Sequence, residues 1–231
     1  VWSDARNGVT KIRIYGAVAT GTLVNDGPVT PVPSGVDQHH PVVGHSQAAG
    51  TFLVVYENRA DDLIYAAAPD LTRAGTSSPL ASATSAISPS GRQGSAPAMT
   101  PVGKQFFVTW IAETGSASDV FGQLVTKTGA PSPSGAIVVS DADGTHRGPA
   151  VAASSGGVAI VVWEAQPQGA SASSPGGARV DLSRSAPVLE DTDGIVVQAQ
   201  PTAGDQRHPA VAVGAEYALV VWEDTRSGAP E

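Results

Sequence analysis

The sequence predicts an all-β protein, a β-propeller or part of one, with about four to five blades of about 53 residues and four antiparallel strands in each. Three observations predict it. A short phrase built around an aromatic anchor occurs five times, as Val1-Trp2-Ser3-Asp4-Ala5-Arg6, Leu53-Val54-Val55-Tyr56-Glu57-Asn58-Arg59, Phe107-Val108-Thr109-Trp110, Ile160-Val161-Val162-Trp163-Glu164 and Ala218-Leu219-Val220-Val221-Trp222-Glu223-Asp224-Thr225-Arg226. Its anchors stand at 2, 56, 110, 163 and 222, at intervals of 54, 54, 53 and 59 residues. A second mark keeps the same step: Pro41-Val42-Val43, Pro97-Ala98-Met99, Pro149-Ala150-Val151 and Pro209-Ala210-Val211, spaced 56, 52 and 60 apart. Finally, no segment of ten or more residues carries apolar spacing of helical period between caps.

Each repeat divides into four pieces. The apolar run ending in the anchor is one strand. After a polar turn comes a second, seen in Lys11-Ile12-Arg13-Ile14-Tyr15-Gly16-Ala17-Val18, Leu63-Ile64-Tyr65-Ala66-Ala67, Asp119-Val120-Phe121-Gly122-Gln123-Leu124-Val125 and, degraded, Gly177-Ala178-Arg179-Val180. Alternation, β-branched content and a mid-run aromatic favour strands. A weaker strand follows a Gly/Asp/Pro turn, as in Ala136-Ile137-Val138-Val139 and Gly194-Ile195-Val196-Val197. The proline-led strand closes the repeat, since proline is tolerated where the ladder has not begun. In propeller order this strand is innermost, the anchor strand second, the Tyr-Gly strand third and the weak strand outermost. A parallel β-helix needs a shorter repeat and a sandwich does not repeat.

Residues 1–231 read as one repeat domain. The strands around Trp2 and Trp222 claim the same slot of a blade, so one is surplus to a closed ring. The expectation is an excerpt from a longer propeller; the alternatives are a displaced terminal strand or a ring that another chain completes.

Composition narrows the partners. Thirteen basic against 21 acidic residues give a net charge of −8 with no basic patch, which argues against nucleic acid and anionic membrane surfaces. No apolar run exceeds six residues, far short of a membrane span. The absence of cysteine removes disulfides and thiolate metal sites.

Trp222-Glu223-Asp224-Thr225-Arg226, Tyr15-Gly16-Ala17-Val18 and Asp205-Gln206-Arg207-His208-Pro209 together resemble bacterial extracytoplasmic β-propeller repeat proteins. Their blades read roughly Val-Val-Trp-Glu-Asp-x-Arg, Ile-Tyr-Gly-x-Arg-Val and Asp-Gln-x-x-Pro-x-Val-Ala. More distantly the chain is similar to propellers of the TolB and sialidase type. The resemblance implies the fold and a secreted, periplasmic or surface location. Trp110 departs from the pattern in lacking the acidic pair, and the segment from Gln166 to Pro175 departs as a long Ser/Gly/Ala loop.

Antiparallel pairing brings the turn after each anchor strand and the turn before each innermost strand to the same end of a blade. That end collects Asp4, Arg6, Asp37, Glu57, Arg59, Asp143, Glu164, Asp205, Glu223, Asp224 and Arg226, a candidate ligand-binding face. A residue needed once per blade is more often a blade-to-blade staple than a site group, which a ligand needs once. His40, His146 and His208 fall in the same turns and are candidate zinc or transition-metal ligands. Asp141, Asp143, Asp191 and Asp193 form two Asp-x-Asp-Gly turns that leave calcium open as the cofactor, though a full calcium loop has more oxygen ligands. No other cofactor is expected. No Gly-x-Ser-x-Gly turn, phosphate loop or His-Glu-x-x-His motif occurs. The expected function is a non-catalytic module that binds protein or glycan or acts as scaffold; the alternative is a sialidase-like propeller glycoside hydrolase or a lectin.

Overall fold

The computed structural model describes residues 1–4, 12–17, 27–29, 37–73, 80–81, 83–198 and 204–225. They form seventeen strands in five antiparallel sheets, each a simple meander. The first sheet holds β1 (Trp2–Asp4), β2 (Arg13–Gly16) and β3 (Gly27–Pro28). The second holds β4 (Gln38–Ser46), β5 (Thr51–Asn58), β6 (Leu63–Ala67) and β7 (Ser85–Ala86), and the third β8 (Gln93–Val102), β9 (Gln105–Thr114), β10 (Ala117–Thr126) and β11 (Ile137–Ser140). In the fourth are β12 (Gly144–Ala153), β13 (Val158–Pro167), β14 (Ser174–Asp181) and β15 (Val188–Leu189), and in the fifth β16 (Gln206–Val213) and β17 (Ala218–Asp224). This is the blade architecture the repeats predict. One assignment is corrected: Gly194–Val197 is not a strand, and the outer edge of the fourth sheet is β15 instead. Gly194 turns at φ +74, and Ile195 and Val197 then lie over Gly177, where a Cβ would meet them at 3.0 and 2.8 Å.

Side chains of the anchor strands alternate between neighbouring sheets, as the pleat requires. Leu53 and Val55 point forward and join Phe106, Val108 and Trp110, which point back, in the seam between sheets two and three. Phe107 and Ile111 meet Ala159, Val161 and Trp163 in the next seam, and Ile14 and Val29 meet Val54 and Tyr56 in the first. Tyr56, Trp110 and Trp163 therefore each seal their blade against the preceding one. Burying each such side chain contributes about 1.5–3 kcal/mol.

The proline marks have a geometric cause. Each innermost strand breaks register just before its proline, between His39 and Val42, Ser95 and Ala98, Arg147 and Ala150, and Arg207 and Ala210. At each bulge the residue before proline is left-handed: His40, Ala96, Gly148 and His208, at φ 45, 49, 50 and 50. Proline disfavours the right-handed helical region for its predecessor, and histidine is among the side chains that best tolerate positive φ. Bulge geometry thus accounts for two of the candidate metal-binding histidines.

Among the described residues the two end sheets have three and two strands where the others have four: β1 is the edge strand of the first, β17 pairs with β16 in the fifth, and no ladder joins these two sheets. Among the described residues no sheet packs against the outer side of Trp2, which is 37% exposed, while Trp110 is fully buried. At the other end Leu219 is 66% exposed, whereas Leu53, in the same repeat position, is fully buried.

Candidate functional site

The predicted face exists at the end of the sheets where anchor strands finish and innermost strands begin, and most of its described polar groups are engaged across or within the seams. Asp37 Oδ1 accepts hydrogen bonds from the Ile12 backbone N–H at 3.0 Å and His39 Nε2 at 2.9 Å. Burial by itself would raise the Asp37 carboxyl, but the Ile12 N–H, His39 and Arg59 together hold it below its ordinary value. Next to it, Gln38 Oε1 accepts from the Ile14 N–H at 3.0 Å. The same clasp recurs in the last seam, between the fourth and fifth sheets. Asp205 Oδ1 accepts from the Ser173 N–H at 3.0 Å, and the Gln206 N–H donates to the Ser173 carbonyl. The Ser173 N–H, with Arg207, lowers the Asp205 carboxyl against the opposing effect of burial.

His146 occupies the position of Gln38 and Gln206, three residues before the blade proline. It is buried, its N–H donates to Ser118 Oγ at 2.6 Å, and its Nδ1 hydrogen-bonds the Ser118 carbonyl of the preceding sheet. His146 is thus a variant of the clasp.

Glu57 ties a bulge to the anchor strand before it. Its Oε1 accepts from the Ala96 N–H of the next sheet at 2.7 Å and from His40 Nδ1 at 2.8 Å, and Arg59 Nε lies 3.5 Å from its Oε2. Glu164 is buried at the same repeat position, with Arg147 at 3.6 Å. Glu223 bonds His208 Nδ1 at 3.0 Å, but with no following sheet described its side chain is 71% exposed, against 5% for Glu57. Asp224 Oδ2 accepts from Gln206 Nε2 at 3.0 Å. Asp4 is paired with Arg13 through the backbone of β1 and β2. Arg6 and Arg226 lie outside the described residues.

The metal candidates do not assemble. His40, His146 and His208 are each taken up by a different partner, and among the described residues no group of three His, Asp or Glu side chains stands where it could hold an ion. Of the two Asp-x-Asp-Gly turns, Asp191 makes a bidentate pair with Arg179 at 2.8 and 2.9 Å, which lowers its carboxyl. Asp141 and Asp193 instead line a cavity of 590 Å³ between the third and fourth sheets, together with Trp163 and His146. Asp143 does not line it. Sequence reasoning missed the Gln38 and Gln206 clasps and this cavity. The recurring Asp-Gln pair before proline was the available signal for the first.

No protein-family model matches the chain, and no curated protein is similar to it. Solved structures are. A protein of unknown function from Dyadobacter fermentans superposes with a TM-score of 0.56 at 12% identity, covering 74% of this chain and 46% of that one. The endo-arabinase of Bacteroides thetaiotaomicron superposes at 0.53 and 15% identity, covering 94% of this chain and 82% of the enzyme. A GH43 β-1,3-galactosidase gives 0.50 at 11% identity, with 88% and 48% covered. The chain thus spans under half of the Dyadobacter protein. At these identities the likeness establishes the propeller fold.

Proposed function

We propose that this chain is a non-catalytic propeller module that binds glycans. One observation carries the non-catalytic part: three of the carboxylates repeated from blade to blade, Asp37, Glu57 and Asp205, are occupied in holding blades together through backbone N–H groups of the neighbouring blade. Moreover, none of the innermost strands β4, β8, β12 and β16 contains an aspartate or glutamate. Glycoside hydrolysis needs two facing carboxyl groups about 5–10 Å apart, one of them protonated and free to give up its proton. A carboxylate fixed by backbone donors is a poor general acid. Support for glycan as the ligand class comes from the fold it shares with an endo-arabinase and a β-1,3-galactosidase. In this reading the protein works outside the cytoplasm, as the resemblance of its repeats implies.

That shared fold also favours a second reading, hydrolysis of such glycans. Both are tested together by affinity electrophoresis in arabinan, xylan and β-1,3-galactan gels, with and without calcium, alongside a reducing-end assay on the same polymers. Retardation without release of reducing ends is expected. Release that survives extensive purification would overturn the non-catalytic reading, and mobility unchanged in every polymer would overturn glycan binding.

A further inference from the structure

In three sheets the anchor aromatic faces a second aromatic across the ladder: Trp2 with Tyr15, Tyr56 with Tyr65, and Trp110 with Phe121. The latter two pairs stack, with ring centroids 5.9 and 6.0 Å apart. The fourth sheet breaks the rule, because Trp163 faces Gly176. A Cβ on Gly176 would stand 2.6 Å from Trp163 Nε1, so the indole lies across the glycine, and in place of a stacked partner on the next strand it meets only the tilted His146 imidazole, 6.0 Å away. The cavity of 590 Å³ opens at this point, walled by Trp163, Gly176, Leu189 and Ile195.

Its chemistry is not that of a seam. Asp141, following β11, and Asp193, in the loop after β15, reach it from two different sheets. Both are exposed, and no hydrogen bond or ion pair to another described residue ties up either carboxylate. Among the described residues no lysine or arginine lines the space. The Trp163 indole N–H is buried without an acceptor. Trp110 Nε1 also lacks one, but there Phe121 stacks on the ring and closes the gap. Two acceptor-only carboxylates, the Thr192 hydroxyl and an apolar wall suit a molecule with a hydroxyl rim and an apolar face. A sugar ring has both.

We propose that the cleft between the third and fourth sheets is the saccharide site of this propeller. It takes about one or two neutral sugar rings, as its volume allows, with Asp141 and Asp193 accepting from ring hydroxyls and Leu189 and Ile195 against the C–H face. The proposal rests on the glycan-binding reading and localises it beside the variant clasp of His146, where the repeat fails.

Isothermal titration with arabino-, xylo- and β-1,3-galacto-oligosaccharides tests it, using wild type, the double variant Asp141→Asn/Asp193→Asn, and Ala142→Trp, which blocks the cavity from an exposed position. Melting temperatures of both variants should match wild type. At least one oligosaccharide should bind wild type, lose about tenfold or more in affinity in the double variant, and fail to bind Ala142→Trp. Binding that is unchanged in both variants overturns the cleft and leaves glycan binding standing elsewhere. If no oligosaccharide binds wild type, both readings fall. Choline serves as a control: a choline complex in place of a sugar complex would mean that the carboxylates serve a cation, and the saccharide assignment would be wrong.

Discussion

Glu57 and Glu223 occupy one repeat position and differ in whether another sheet follows, so the pair isolates what a seam contributes. Truncating Glu57 to alanine removes a charged acceptor and leaves the Ala96 N–H, 2.7 Å from it in wild type, facing a seam at a bulge held at φ 49. A hydrogen bond to a charged group contributes about 1.5–3 kcal/mol and an unsatisfied donor costs about 1–3 kcal/mol, with overlap between the two, so the expected loss is about 2–4 kcal/mol. For a chain of this length 1 kcal/mol corresponds to about 2–4 °C, so Tm should fall by roughly 5–15 °C. Glu57→Gln keeps an acceptor for the Ala96 N–H and should lose about a third of that. Glu223→Ala breaks only an exposed contact with His208, 3.0 Å long, and should stay within about 2 °C of wild type. Differential scanning calorimetry at neutral pH measures all three. A Glu57→Ala protein that melts with wild type, or a Glu223→Ala protein that falls equally far, would refute the seam argument.

Gly122→Ala should be costly by about 1–3 kcal/mol, since the new Cβ would lie 2.4 Å from the fully buried Phe107 ring, while Gly156→Ala, whose nearest neighbour is Ser154 Oγ at 3.6 Å, should leave urea midpoints unchanged. The Asp-Gln clasps predict a pH dependence. Asp37 and Asp205 titrate below their unfolded value in the folded chain, so their stabilisation is complete above the ordinary carboxylate pKa of about 3.9 and is lost as pH falls through the lower folded value. The stability difference between wild type and Asp37→Asn/Asp205→Asn should therefore be largest above pH of about 5 and shrink in acid below about 4; a difference that widens in acid would refute the assignment of these carboxylates as ionised clasps.

Much of the fold was legible because a propeller blade is a local object. Its strands are consecutive, its pleat has period two, and its anchors and prolines repeat at the interval one blade needs. The two claimants to one slot, around Trp2 and Trp222, were visible in the same way and appear as β1 and β17. The misplaced strand at Gly194–Val197 shows where local reading fails: its apolar run is satisfied by packing on Gly177, a contact that depends on the missing side chain there.

The sequence by itself determined an all-β repeat, its period, the order of strands within a blade and the end at which the charged turns gather. Tertiary structure decided which of those charges are occupied. Glu57 and Glu223 read alike and differ because one is covered by a sheet from the next repeat. Asp191 and Asp193 sit in one turn and differ because Arg179 reaches only the first, while the second lines a cavity. The gap beside Trp163 exists because strand register sets it opposite Gly176, thirteen residues on in the chain. Periodicity fixes what each residue's own strand does, whereas burial, partners and cavities depend on atoms brought from other repeats, whose registers no local pattern specifies.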